Sequence, residues 1–298
     1  MSQNIGFERN LFSVTTLIHT QIVQNGTTHL RRATGFYYNE LTPSDPNKKG
    51  PQWHRIDKYW LITNRHVVLP KVNGVECVPS SFIFYLRRNE NDKIEWEPIT
   101  ITADELLSIL KLHPDPNVDV AAIDVSNLIH HAIKMELEQK PKQCNLMIPA
   151  TLSAVNLPKN QPISIDVTSD IIVASYPKGF YDMVNKFPVV KSGIVASAWG
   201  YKFNGLPMFE IDAQLFPGSS GGLVLSKPTQ ITMIDGKPHY SAKKEFVFLG
   251  VYSGEYKWDD TIEVDGKKVK ISQSYGLGNV WYSYLIPEII YKGIAYTK

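Results

Sequence analysis

A turn of small residues at 217–222, with the sequence Pro-Gly-Ser-Ser-Gly-Gly, carries the serine best placed for nucleophilic chemistry. Glycines let such a turn fold tightly enough for two backbone N–H groups to converge beside a serine hydroxyl. There they would stabilise the oxyanion that forms when the hydroxyl attacks an acyl carbon. We therefore predict Ser220 as the nucleophile and the amides of Gly218 and Ser220 as the oxyanion hole, although this segment alone is equally compatible with a plain turn.

A histidine and a carboxylate elsewhere in the chain could activate this serine. His66 follows a predicted apolar strand that begins near Leu61, so its imidazole could lie at the rim of a β-barrel. A single histidine in such a place is more often structural. Asp119 stands at the head of another apolar strand, at 118–123, where a charge needs hydrogen-bonding partners. The three residues follow one another in the order histidine, aspartate, serine.

These segments together resemble the trypsin-like serine peptidases of the chymotrypsin fold, and within them the bacterial HtrA-like branch. The resemblance is carried by Thr-Asn-Arg-His-Val-Val at 63–68, Val-Asp-Val-Ala-Ala-Ile at 118–123 and Asp-Ala-Gln-Leu-Phe-Pro-Gly-Ser-Ser-Gly-Gly at 212–222. Further segments similar to the family's strands extend it over roughly residues 12 to 285: 33–36, 175–179, 190–196, 249–254 and 276–280.

The resemblance implies a serine endopeptidase that acts on protein or peptide substrates and uses no cofactor. His66 would take the proton of Ser220 during attack and return it to the leaving amine, while Asp119 would orient the imidazole and stabilise its charged form. Two alternatives stay open. One is a catalytically silent domain of this fold that binds peptides or scaffolds a complex, and the other is an esterase with the same triad.

The family resemblance also places a primary substrate pocket, lined by Gln214, Ser253, Gly254, Glu255 and Gly278. Gln214 lies six residues before the nucleophile, at the position that forms the base of the pocket in this family. A neutral amide there offers no fixed charge for an arginine or lysine. Gly278 would leave the pocket open, whereas Glu255 would narrow or acidify its entrance. We expect a preference for an uncharged residue before the scissile bond.

The sequence departs from the family in two respects. It lacks an Ile-Val-Gly-Gly-type start, so activation by a new N-terminus buried near Ser219 is not expected. The chain after about residue 285 is too short for the PDZ module that HtrA-like proteins often carry, which leaves open whether a separate partner protein regulates it or none does.

Strand-forming segments separated by turn dipeptides dominate the pattern. Asn and Gly tolerate positive φ, so we predict tight turns at the following pairs: Asn25-Gly26, Asn73-Gly74, Asn204-Gly205, Asp235-Gly236 and Asp265-Gly266. The fourth would join strands at 230–234 and 237–242. Helices are predicted after Thr102, which has capping-box spacing to Glu105, and from Ser126 to about Gln139. A third is expected near Pro287.

The predicted fold is all-β and mainly antiparallel, with two six-stranded β-barrels of the chymotrypsin type. We expect the first barrel at 10–125, carrying the histidine and aspartate, and the second at 163–285, carrying the serine and the oxyanion hole. A helical, proline-containing connector would span 126–162. A short C-terminal helix and tail would occupy 286–298. In the connector helix we expect one apolar face formed by Leu128, Ile129, Ala132, Ile133 and Leu137.

Composition restricts the remaining possibilities. With 31 basic and 29 acidic residues the net charge is +2, which gives no reason to expect nucleic acid or a membrane as a partner. The two cysteines, Cys77 and Cys144, do not suggest a disulfide framework, and with no signal-peptide pattern they favour a cytoplasmic protein. No metal site is predicted, because the adjacent His130 and His131 would point about 100° apart on a helix.

Overall fold

The computed structural model describes residues 6–24, 26–41, 56–91, 93–140, 144–234, 237–264 and 267–296. Within these ranges the chain is mainly antiparallel β, as predicted. The helices are α1 (Gly6–Val14), α2 (Arg65–Val68), α3 (Ala103–Ile109), α4 (Ser126–Gln139) and α5 (Leu285–Lys292). Single 3₁₀ turns lie at Ala154–Asn156, Pro158–Asn160 and Pro177–Gly179.

The first half of the chain forms an eight-stranded sheet and a small hairpin. Its strands are β1 (Thr15–Gln24), β2 (Thr27–Leu41), β3 (Ile56–Thr63), β4 (Lys71–Val72), β5 (Val75–Glu76), β6 (Ser81–Glu90), β7 (Lys93–Thr102), β8 (Leu110–Leu112), β9 (Ala121–Asp124) and β10 (Leu146–Met147). The sheet order is β10-β6-β1-β2-β3-β9-β8, with β7 also paired to β6, while β4 and β5 pair with each other. This sheet has more strands than the six predicted, partly because β10 comes from the expected connector and pairs with β6.

The second half closes into a six-stranded barrel, as predicted. Its strands are β11 (Asp170–Ser175), β12 (Val189–Val195), β13 (Met208–Asp212), β14 (Leu223–Ser226), β17 (Phe248–Val264) and β18 (Lys267–Tyr282), in the order β11-β12-β13-β18-β17-β14. A separate hairpin pairs β15 (Thr229–Ile234) with β16 (Lys237–Glu245). Phe209, Ile211 and Val224 fill the barrel interior and are fully buried.

Two of the predicted Asn-Gly turns lie entirely within the described residues. Asn73 and Gly74 have φ of 52° and 81°, and Asn204 and Gly205 have φ of 50° and 81°, which is the left-handed conformation that these residues favour. Gly26 also has positive φ. The turn residues 25, 235–236 and 265–266 lie outside the described residues, although the strands on both sides of the last two turns pair in register.

The three predicted helices are present as α3, α4 and α5. Thr102 caps α3, since its hydroxyl accepts a hydrogen bond from the Glu105 N–H at 3.3 Å. The expected apolar face of α4 is correct at Ile129, which is buried, but wrong at Leu137, which is 42% exposed. Glu136 is buried at that end of the helix instead, paired with Arg88 at 3.0 Å. Neither α1 nor α2 was predicted from the sequence.

A shared core joins the two halves. It contains Phe36 and Trp60 from the first sheet together with Leu223, Phe248 and Trp281 from the barrel. The rings of Phe36 and Phe248 meet edge to face, with centroids 5.3 Å apart. Phe36 belongs to β2 and Leu223 begins β14 directly after the serine turn, so this shared core holds the serine turn beside the first sheet.

Candidate active site

His66 and Asp119 are in direct contact on the first half of the molecule. The Asp119 carboxylate receives the His66 backbone N–H on Oδ1 at 2.9 Å and lies 2.7 Å from the ring Nδ1 through Oδ2. Val67 and Val68 are buried and anchor the short helix α2 that carries the histidine. The His66 side chain is 45% exposed, so one edge of the imidazole can receive a reactant.

The serine turn depends on glycines at two positions. Gly218 and Gly221 have φ of +94° and +80°, a region that residues with a side chain rarely adopt. A Cβ on Gly221 would lie 2.0 Å from the Thr34 carbonyl oxygen, and a Cβ on Gly218 would lie 2.7 Å from the Lys178 nitrogen. The turn therefore packs directly against the backbone of two other segments.

Thr34 on β2 ties this turn to the first half of the molecule. Its N–H donates to the Ser220 carbonyl at 2.8 Å, and its hydroxyl donates to the Gly218 carbonyl at 2.9 Å. The same hydroxyl accepts the Tyr176 N–H at 2.9 Å, and the Thr34 carbonyl accepts the Thr63 hydroxyl at 2.8 Å. The residues at 33–36 indicated a strand of the family but not this role for Thr34, because no local pattern shows which distant turn a strand residue will contact.

The two amides predicted to form the oxyanion hole are free to bind. Among the hydrogen bonds of the described residues, the N–H groups of Gly218 and Ser220 have no acceptor, while those of Ser219, Gly221 and Gly222 do. Since the Gly218 carbonyl is held by Thr34, the orientation of this stretch of backbone is fixed. Two unpaired donors next to a serine hydroxyl can bind an anionic oxygen.

Two hydrogen bonds of Ser253 connect Ser220 to the His66–Asp119 pair. Its hydroxyl donates to the Ser253 carbonyl at 2.9 Å, and the Ser253 hydroxyl donates to Oδ2 of Asp119 at 2.6 Å. Among the described residues no hydrogen bond joins Ser220 to His66, so the serine proton points to residue 253 in this conformation. Rotation about the Cα–Cβ bond of Ser220 is needed to direct it to the imidazole.

The residues predicted to line the primary pocket have different environments. Gln214 is exposed, Gly254 is half-buried, and Gly278 pairs with Glu255 across β17 and β18. The Glu255 carboxylate accepts the Ser274 hydroxyl at 2.7 Å and pairs with Lys257 at 3.1 Å. A Cβ on Gly278 would lie 2.7 Å from the ring of Tyr252. The Ser253 hydroxyl faces Asp119 and not a pocket.

One buried carboxylate near this region was not predicted from the sequence. Glu210 on β13 is 2% exposed, and burial raises its pKa to about 7. Its neighbours Phe209 and Ile211 face the barrel interior, so Glu210 faces outward beneath other side chains. The alternation of apolar residues in β13 places it on the outer face but does not show that this face is covered.

Among the described residues, no group of three or more His, Cys, Asp or Glu side chains could hold a metal ion. A search over the same part of the chain finds no helix with the length and apolar character needed to span a membrane.

Comparisons with known proteins place the chain in a family. A search of curated proteins finds no match. Among solved structures 213 chains match, including the crystal structure of the Rv3671c protease from M. tuberculosis in its active form. That match has 16% sequence identity and a TM-score of 0.44, and covers 100% of this chain and 90% of the other. The family model described as trypsin-like peptidase domain matches residues 33–231, which is most of the chain. The chain therefore belongs to the trypsin-like peptidase domain family.

Proposed function

We propose that this protein is a serine endopeptidase in which Ser220, His66 and Asp119 form the catalytic triad. The observation that carries the proposal is the contact of His66 with Asp119 at 2.7 Å beside a serine turn with two unpaired amides. Membership of the trypsin-like peptidase domain family supports peptide-bond hydrolysis. The boundaries 10–125, 126–162, 163–285 and 286–298 are part of the same proposal.

In the proposed reaction, the Ser220 hydroxyl turns from the Ser253 carbonyl to His66 and attacks the peptide carbonyl. His66 takes the serine proton and returns it to the leaving amine, and Asp119 holds the imidazole through Nδ1. The developing oxyanion binds the N–H groups of Gly218 and Ser220, each contributing about 3 kcal/mol to the barrier reduction. Water then hydrolyses the acyl-enzyme by the same steps.

Labelling with a fluorophosphonate probe tests the nucleophile. We expect rapid covalent labelling of the wild-type protein and none of Ser220→Ala. Ser272→Ala, which changes an exposed serine on β18, is the matched control and should label as the wild type does. Equal labelling of the wild type and Ser220→Ala would exclude Ser220 from this role.

A catalytically silent binding domain is the second candidate, and the hydrogen bond from Ser220 to Ser253 is the observation that favours it. An esterase is the third. Casein digestion measured beside hydrolysis of a small ester separates them: the peptidase digests both substrates, the esterase only the ester, and the silent domain neither.

For substrate choice we propose an uncharged residue before the scissile bond. Gln214 brings no charge to the predicted pocket, and the Glu255 carboxylate is already engaged by Ser274 and Lys257. Cleavage of a peptide library should therefore show little arginine or lysine at that position, and dominance of either would contradict the assignment. The cytoplasmic location and a regulatory partner stay predictions from the sequence.

A further inference from the structure

A second pocket adjoins the serine turn. It is a cavity of about 620 Å³ lined by Lys178, Phe180, Val190, Lys191 and Phe216, with Pro177, Val189 and Ser192 completing its wall. We call it the basic pocket. None of the residues predicted for the primary pocket contributes to its lining, so the basic pocket is distinct from the predicted primary pocket.

The position of the basic pocket follows from its contacts with the oxyanion-hole segment. Lys178 donates its backbone N–H to the Pro217 carbonyl at 2.6 Å, and Gly218 packs against the backbone of Tyr176 and Lys178. At the other end of the turn, the Ser220 hydroxyl donates to the carbonyl of Ser253, a residue predicted to line the primary pocket. The turn therefore separates the two pockets.

This separation assigns each pocket to one part of a substrate. A peptide attacked by Ser220 has its carbonyl oxygen at the amides of Gly218 and Ser220, with its acyl part extending to one side and its amine part to the other. If the acyl side chain enters the pocket beside Ser253, the chain after the scissile bond extends toward 177–179. The basic pocket lies along that path.

Positive charge is concentrated in this pocket without compensation. The ammonium groups of Lys178 and Lys191 lie 5.7 and 4.8 Å from the ring centroid of Phe216. No described residue forms an ion pair with either lysine. Arg32 is exposed nearby and directs Nη1 to the Lys178 carbonyl at 3.5 Å, adding a third cation. Convergent cations of this kind attract a carboxylate.

The backbone at Lys178 points to the same conclusion. Lys178 has φ of 52°, in the left-handed region where glycine or asparagine is less strained than lysine. Strain of this kind persists where the surrounding structure imposes it, and it is concentrated at functional sites. Here it places a lysine side chain at the edge of the pocket.

We propose that the basic pocket binds an acidic side chain of the substrate within the first two residues after the scissile bond. The inference rests on the proposed peptidase function, because it uses the direction in which a substrate must cross Ser220. It names the substrate class as peptides with Asp or Glu on the leaving-group side.

The test uses three quenched peptides that share one sequence up to the scissile bond and carry Glu, Gln or Lys at both positions after it. We expect kcat/KM to be about tenfold higher for the Glu peptide than for the Lys peptide, the ratio given by about 1.4 kcal/mol. In Lys178→Gln/Lys191→Gln the ratio should fall below about twofold. Lys202→Gln, an exposed lysine outside both pockets, is the control and should keep the wild-type ratio.

Two further measurements distinguish the possible failures. A small fluorophosphonate has no residues after the reactive centre, so the double variant should label at the wild-type rate. Equal cleavage of all three peptides by a protein that labels would overturn the basic pocket and leave the peptidase intact. If the wild type neither labels nor cleaves, the peptidase proposal fails. The affinities of Ser220→Ala for the same peptides then decide the pocket: tighter binding of the Glu peptide supports it, and equal affinities overturn it.

Discussion

The two sides of the cleft hold their reactive groups in different ways. On the first half, Asp119 contacts both the ring and the backbone N–H of His66, so this pair is assembled beside the paired strands β3 and β9. On the second half, Ser220 and Gly218 are held by Thr34, which belongs to the other half. The proposed acid–base pair is thus a local structure, whereas the proposed nucleophile and oxyanion hole depend on how the two halves pack together.

The largest effect should come from the local pair. In Asp119→Asn the amide cannot hold the imidazole in the tautomer that accepts the serine proton, so we expect kcat to fall by about four orders of magnitude with KM nearly unchanged. Steady-state kinetics with a quenched peptide measure both. Asp170→Asn, at an exposed ion pair with Lys227, is the control and should keep wild-type kinetics. A loss below tenfold would mean that another carboxylate supports the histidine.

The next effect tests the contact between the halves. Thr34→Val keeps the shape of the side chain but leaves the Gly218 carbonyl and the Tyr176 N–H without their partner. We expect the free energy of unfolding to fall by about 2–3 kcal/mol and phosphonate labelling to slow by about tenfold. Urea denaturation and labelling kinetics measure the two quantities.

Thr34→Ser retains the hydroxyl and should restore labelling to within about threefold of the wild type. If the serine variant is as slow as the valine variant, packing of the threonine methyl group, and not the hydrogen bond to Gly218, fixes the serine turn.

A smaller total effect, on catalysis and not on stability, is expected where the halves meet through Ser253. In Ser253→Ala, Asp119 loses one donor at 2.6 Å but keeps both contacts with His66. Removal of one hydrogen bond to a charged group corresponds to about a tenfold loss in kcat, with little change in KM. Wild-type kcat in this variant, measured with the quenched peptide, would show that the local pair needs no support from the barrel.

The last test concerns a contribution of the second half to the stability of the protein, with no change in activity expected. The pKa of Glu210 is raised to about 7, so the folded state is stabilised when this carboxyl group is protonated. This contribution is present below pH 4.5, is lost as the pH rises through 7, and amounts to at most about 3 kcal/mol. Glu210→Gln should therefore be more stable than the wild type at pH 8 and of similar stability at pH 4.5.

Denaturation curves at the two pH values measure this difference. Glu263→Gln, on the exposed arm of β17, should follow the wild type at both. An unchanged or lower stability of Glu210→Gln at pH 8 would show that neighbours such as Asn279 stabilise the carboxylate as an anion.

Local features of the sequence predicted much of the fold. Asn-Gly pairs gave correct turns at 73–74 and 204–205, and apolar spacing gave α4 with its observed bounds. The exposed position of Leu137 could not be foreseen, because it depends on where the sheet beneath the helix ends. The segment containing α1 was likewise not predicted to be helical, although its Leu11 and Val14 pack into the shared core.

For the candidate site, residue types in short segments identified His66, Asp119 and the serine turn, and the structure brings the first two into contact. Their catalytic roles stay proposals. The parts that were missed depend on distant pairing: Thr34 meets Gly218 across 184 positions of the chain, and Ser253 meets Asp119 across 134. No periodicity or motif predicts such contacts, since they form only when both halves have folded.

The burial of Ser219, which precedes the proposed nucleophile, has a consequence for activation by cleavage of the chain. Ser219 is fully buried, and its hydroxyl receives that of Ser175 at 3.1 Å, so an uncharged pair fills the position beneath the serine turn. Ser219 itself offers no carboxylate to a newly liberated ammonium terminus, and such an unpaired charge would be costly to bury. An ammonium terminus released by cleavage of the chain would therefore find no ion-pair partner in Ser219, and we expect no gain in activity from placing one beneath the serine turn.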